Sequence, residues 1–140
     1  MKRRKAREYV LQFLFQSDFR DKNHRKNNLK QFWADKEKDP EVTKFASDII
    51  EGTLSTLDEI DSVIKKAAEH WVLQRMAAVD RNILRFAVYE LLYRKDIPPA
   101  VTINEAIEIA KKYSTSESAS FINGILDKIA RNIKKKQKAS

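Results

Sequence analysis

The sequence predicts an all-α fold, on three observations. Only two glycines and three prolines occur in 140 residues, too few for the tight turns of a strand-rich protein. Apolar residues recur at spacings of three and four through most of the chain, the period of an amphipathic helix. Recognisable helix starts punctuate them, as at Asp39-Pro40, where the acid can cap free N–H groups and proline suits the first helical position. A chain of this length fits one domain, residues 1–140, with a core that needs no staples. There are no cysteines, so disulfides and thiolate metal sites are excluded. No apolar run approaches the length of a membrane span, and the basic start leads into no signal-peptide core. A cytoplasmic protein is expected.

A first helix is expected over residues 3–19, with Ala6, Val10, Phe13 and Leu14 inward and Arg4, Lys5 and Arg7 mostly outward. Residues 20–28 hold no apolar side chain and read as a basic loop, and a short helix is expected around Leu29, Phe32 and Trp33. After Asp39-Pro40 comes the most regular stripe of the chain: Val42, Phe45, Ala46, Ile49, Ile50, Thr53, Leu54 and Leu57. Gly52 interrupts it at a cost of about 1 kcal/mol relative to alanine, which implies a closely packed neighbour. Thr56-x-x-Glu59 reads as a capping box opening a helix whose apolar face is Ile60, Val63, Ile64, Ala67 and Trp71. Residues 80–94 are apolar on most sides, the mark of a central buried helix. Thr102-x-x-Glu105 reads as a second capping box, with Ile103, Ala106, Ile107 and Ala110 inward. Ser114 to Ser118 supplies a turn and cap, and Ile122, Ile125, Leu126, Ile129 and Ile133 form the core stripe of the last helix. Six or seven helices are expected.

Chemistry is sparse. The histidines, His24 and His70, are forty-six residues apart without ligand-spaced neighbours, and no phosphate loop, dinucleotide fingerprint or nucleophile elbow occurs. Neither catalytic residues, a metal site nor a cofactor is expected. Charge carries more information. Residues 1–30 hold ten Lys/Arg against three Asp/Glu, residues 128–140 hold six and none, and the stretch between them is a net −5. Two basic ends around an acidic body suit a polyanionic partner. In the bland reading, the ends at 1–7 and 134–140 are solvated and flexible. Arg3, Arg4 and Arg7 could grip phosphates bidentately. On the last helix Glu117, Phe121, Gly124 and Lys128 share a face distinct from the core stripe. There Phe121 could stack an unpaired base, or it could pack against a neighbouring helix; the spacing alone leaves both open.

Three blocks carry a family resemblance: DRNILRFAVYELL from Asp80, TINEAIEIAKKY from Thr102, and SFINGILDKI from Ser120, with the basic first helix at the other end. In order and spacing they resemble the NusB family of bacterial transcription antitermination factors. The resemblance implies two helical subdomains packed through a long central helix, and no catalysis. It implies binding of single-stranded boxA RNA together with NusE, a small-subunit ribosomal protein, with other Nus factors and RNA polymerase engaged indirectly. By the same resemblance Arg3, Arg4, Arg7, Phe121, Asn123 and Lys128 are expected on the RNA side, and Phe15 and Asp80 on the protein side. Asp80 also fits a helix N-terminus, and Phe15 also fits plain packing. Ser114 stands where many members of the family have glycine. Two other readings remain: a free-standing relative of the NusB-like domain of ribosomal RNA methyltransferases, and a generic basic helical nucleic-acid-binding protein.

Overall fold

The computed structural model describes residues 1–19, 29–69 and 73–139. Within them lie seven α-helices: α1 (Lys2–Ser17), α2 (Leu29–Ala34), α3 (Pro40–Ser55), α4 (Leu57–Ala68), α5 (Ala78–Tyr93), α6 (Pro99–Tyr113) and α7 (Ser116–Ala139), with a single 3-10 turn at Leu73–Arg75. The basic 20–28 stretch, His24, His70 and Trp71 lie outside the described residues. α5 is the hub and packs against α1, α3, α4, α6 and α7. That position explains its near-continuous apolar sequence: Ile83, Leu84, Phe86, Ala87 and Val88 are all buried. α1 pairs with α3 on one side of this hub, and α6 pairs with α7 on the other. α2 is pinned by rings and one polar bond: Phe32 meets Phe13 edge to face at 5.3 Å, and the Trp33 indole N–H donates to Ser47 Oγ at 2.9 Å.

The sequence stripes fall where the helical period puts them. Ala6, Val10, Phe13 and Leu14 of α1, Val42 to Ile50 of α3 at helical spacing, and Ile122, Ile125, Leu126 and Ile129 of α7 all enter one core. Asp39 caps α3 as expected, its carboxylate accepting from the Glu41 N–H at 3.0 Å. At the α6–α7 turn, Thr115 Oγ1 accepts from the Ser118 N–H at 3.0 Å. Ser114 there has φ −132°, outside the left-handed region, so the turn requires no glycine. α7 continues through its lysines to Ala139.

Both expected capping boxes are corrected. Thr56 Oγ1 donates back to the Gly52 carbonyl at 2.7 Å and caps nothing, while Glu59 accepts from the Tyr93 hydroxyl. α6 starts at Pro99, three residues before Thr102, because a proline in the first turn loses no intrahelical bond. Thr102 is therefore inside the helix and buried, its hydroxyl donating to Glu90 at 3.0 Å. In each case another partner outcompetes the local motif. The acid Asp18, just past α1, collects the Arg81 and Arg85 guanidiniums and the Asn82 amide of α5, at 2.6 to 3.1 Å. Burial pushes its carboxyl up, but Arg81, Arg85 and Asn82 outweigh that and hold it below the usual carboxylate range.

A Cβ at Gly52 would lie 2.1 Å from the Tyr89 ring, whereas one at Gly124 would meet nothing within 4 Å. Gly52→Ala should thus lose about 1–3 kcal/mol by overpacking, and Gly124→Ala should gain up to about 1 kcal/mol from helix propensity; chemical denaturation measures both. Because the folded carboxyl of Asp18 is depressed, its contribution is present above the unfolded value near about 3.9 and is lost as pH falls through the folded value. Asp18→Asn should cost about 3 kcal/mol at neutral pH and show a shallower loss of stability below about pH 4, read from denaturation midpoints across a pH series.

Candidate nucleic-acid interface

The first turn of α1 is cationic and holds no acid, an arrangement the helix dipole opposes. Acids from distant segments offset it. Lys2 pairs with Asp39 and Glu41 at 3.2 and 3.0 Å, and Lys5 with Glu37 at 2.7 Å. Arg4 forks onto Glu105 through Nε and Nη2, at 2.8 and 2.5 Å, and this hydrogen-bonded pairing raises the guanidinium pKa and lowers that of the carboxyl. Arg7 is 1 % exposed. Its Nε and Nη2 donate to the two oxygens of Glu90 at 2.9 and 2.8 Å, with Glu105 a further 3.7 Å neighbour. The expectation that Arg7 points outward is corrected: a carboxylate buried on α5 draws it into the core.

Arg3 differs from these four. It is exposed, its guanidinium lies 4.6 Å over the Phe45 ring, and among the described residues it forms no salt bridge, although its charge helps to depress the Asp96 carboxyl. Arg7 and Arg94 approach the same ring at 5.2 and 5.1 Å. The ring's negative face thus steadies a knot of cations, of which Arg3 is the one that solvent reaches freely.

The second group lies on α7. Phe121 is half-buried, and Asn123 and Gly124 are exposed. With open space over Gly124, bare helix backbone borders the aromatic ring one turn away. Lys128 is tied to the end of α4: its ammonium meets Glu69 at 2.5 Å and the Ala67 carbonyl at 3.4 Å. It serves packing as well as any ligand, since a cation there offsets the free carbonyls of that helix end.

Of the two residues expected on a protein-facing surface, Phe15 is 37 % exposed and meets Phe19, 69 % exposed, edge to face at 5.2 Å. Sequence reading missed Phe19, although its i, i+4 spacing from Phe15 could have shown the pair. Asp80 is 7 % exposed, in the first turn of α5 but inside the cap position, which Ala77 takes. Its Oδ2 accepts from Ser118 Oγ at 2.7 Å, and its Oδ1 is buried without a hydrogen-bond partner. Asp80 therefore joins α5 to the first turn of α7 and presents no carboxylate oxygen freely to solvent.

The candidates form two groups. Arg3, Arg4 and Arg7 gather where α1 begins, beside Glu90 near the end of α5. Phe121 lies three residues past Ser118, which touches Asp80 at the start of α5. Ten residues of helix separate those two anchors, roughly 15 Å along the α5 axis. Among the described residues, no helix is long and apolar enough to cross a membrane.

The NusB family model matches residues 4–131. Transcription antitermination protein NusB of Thermodesulfovibrio yellowstonii is 52 % identical over 140 residues, covering 94 % of this chain and 93 % of that one. The protein of the same name from Desulfitobacterium hafniense is 51 % identical over 137 residues, covering 97 % and 93 %. The solved structure of T. maritima NusB superposes with a TM-score of 0.84 at 46 % identity, covering 92 % of this chain and 90 % of that one. A crystal structure of antitermination factors NusB and NusE in complex with dsRNA superposes equally, at 0.84 and 28 % identity, covering 94 % and 97 %. Matched over more than nine-tenths of its length in sequence and in backbone, this chain belongs to the NusB family.

Proposed function

We propose that this chain is a transcription antitermination factor, a non-catalytic adaptor of the cytoplasm. It holds single-stranded boxA RNA on one surface and docks NusE on another, and through them engages other Nus factors and RNA polymerase. The observation that carries the RNA surface is the α7 face, where Phe121 stands beside the open backbone of Gly124 and the exposed Asn123 amide. An aromatic ring can stack an unpaired base where the helix beside it is low, and an amide can read a base edge. Arg3 supplies phosphate contact, and Arg4 adds to it when Glu105 releases part of its fork. Arg7 contributes by fixing the first turn of α1. Lys128 borders the same face. For the protein surface, Phe15 with Phe19 offers an exposed aromatic pair, and Asp80 acts indirectly, by holding the first turn of α7.

The NusB–NusE neighbour was solved with double-stranded RNA, so a duplex belongs among the probes. Fluorescence anisotropy should show this chain preferring a labelled boxA strand over a scrambled strand and over a duplex, with tighter binding when NusE is added. Equal, steeply salt-dependent binding to all three, indifferent to NusE, would leave only a basic helical protein. Phe121→Ala should weaken boxA binding by about 1–3 kcal/mol with little change in melting temperature. Unfolding without loss of residual affinity would place Phe121 in the core and remove it from the RNA surface.

A further inference from the structure

A groove of 770 Å³ runs between α4, α5 and α7, bordered on one side by Ala67, whose carbonyl Lys128 reaches. Its floor is aliphatic: Val63, Ala67, Leu92 and Ile133 remain half-buried, and Ile129 closes the bottom. Lys66, Lys95 and Lys136 rim it, all three exposed, and no carboxylate lines it. Among the described residues none of these lysines is held in an ion pair, in contrast to Lys2, Lys5, Lys112 and Lys128. Each rim lysine stands at or just past a helix C-terminus, where a cation is favoured by the dipole alone. That accounts for the charges. It does not account for the aliphatic strip left uncovered between them.

We infer that this groove receives an acidic amphipathic helix from a protein partner. Aliphatic floor and cationic rim match such a segment in both respects: apolar anchors at i, i+3, i+4 and i+7 would enter the floor, and flanking carboxylates would meet the three ammonium groups. The α7 wall from Ile129 to Gln137 is about 12 Å long, two turns of a docked helix. A nucleic acid is the poorer occupant, because no aromatic side chain lines the groove to stack a base. This surface is independent of the RNA reading and stands or falls without it.

The test uses the full chain and a labelled synthetic helical peptide with leucines at i, i+3, i+4 and i+7 and glutamates flanking them. Saturable binding is expected, with amide shift changes in the NMR spectrum at Val63, Ala67, Leu92 and Ile133. Combining Lys66→Glu, Lys95→Glu and Lys136→Glu should weaken binding by about tenfold or more, and a peptide with lysines in place of its glutamates should recover affinity for that variant. If the triple reversal disturbs the fold, the corresponding Lys→Gln variant gives the same reading with a smaller loss. No saturable binding, or binding indifferent to the three lysines, overturns the inference. So does a triple variant that loses boxA affinity while the wild-type chain ignores the peptide, since the groove would then be a nucleic-acid surface.

Discussion

A guanidinium buried where four helices meet sets the geometry of everything around it. Arg7 of α1 forks onto Glu90 of α5, Glu90 also accepts from Thr102 of α6, and the Phe45 ring of α3 lies against the Arg7 guanidinium. Burying such a pair costs several kcal/mol per ion before any attraction is counted, so it is tolerated only where the geometry is complete. Here Glu90 accepts on both oxygens from two neighbours. The consequence is specificity of assembly: α1, α5 and α6 can dock in the one register that satisfies the knot. A shift of one residue in any of them would leave a buried charge unpaired.

That constraint also decides which basic residues are available to a partner. The sequence shows five cations in the first seven residues, an apparent phosphate comb. In the fold, Lys2, Arg4, Lys5 and Arg7 are each held by acids 32 to 101 residues away, and Arg3 is left to solvent. The N-terminal positive charge is therefore in large part structural, since it joins α1 to α3, α5 and α6. What remains for recognition is small and spread out: Arg3 at one end of α5, and Phe121 with Asn123 and Gly124 toward the other. A partner that touches both must be extended, which suits a strand of RNA better than a compact ligand.

The helices themselves were legible because their stripes are local and periodic; α3 and α7 could be read almost residue by residue, and the Asp39-Pro40 start is a local capping event. The errors share one cause. Thr56, Thr102 and Arg7 each carry a local signal, but each finds its partner elsewhere: Thr56 in the preceding turn, and Thr102 and Arg7 both on Glu90 of α5. Short motifs state what a residue can do with its neighbours in sequence, and a buried acid such as Glu90 is invisible to them. Gly52 was readable for the opposite reason: a glycine inside a strong stripe costs helix propensity, and the approach of Tyr89 is what it permits. The spacing of Phe15 and Phe19 was legible but their exposure was not, because exposure, unlike period, depends on how the chain leaves the end of its helix.

The most direct test of this division compares Arg3→Gln with Arg7→Gln, measuring denaturation midpoint and boxA affinity on the same preparations. Under this division Arg3→Gln leaves stability within about 0.5 kcal/mol while lowering the log–log salt slope of RNA binding by roughly 0.7, and Arg7→Gln costs about 3–5 kcal/mol of stability by stranding the Glu90 carboxylate. The reverse pattern, a stable Arg7→Gln variant with impaired RNA binding and an Arg3→Gln variant with none, would contradict it.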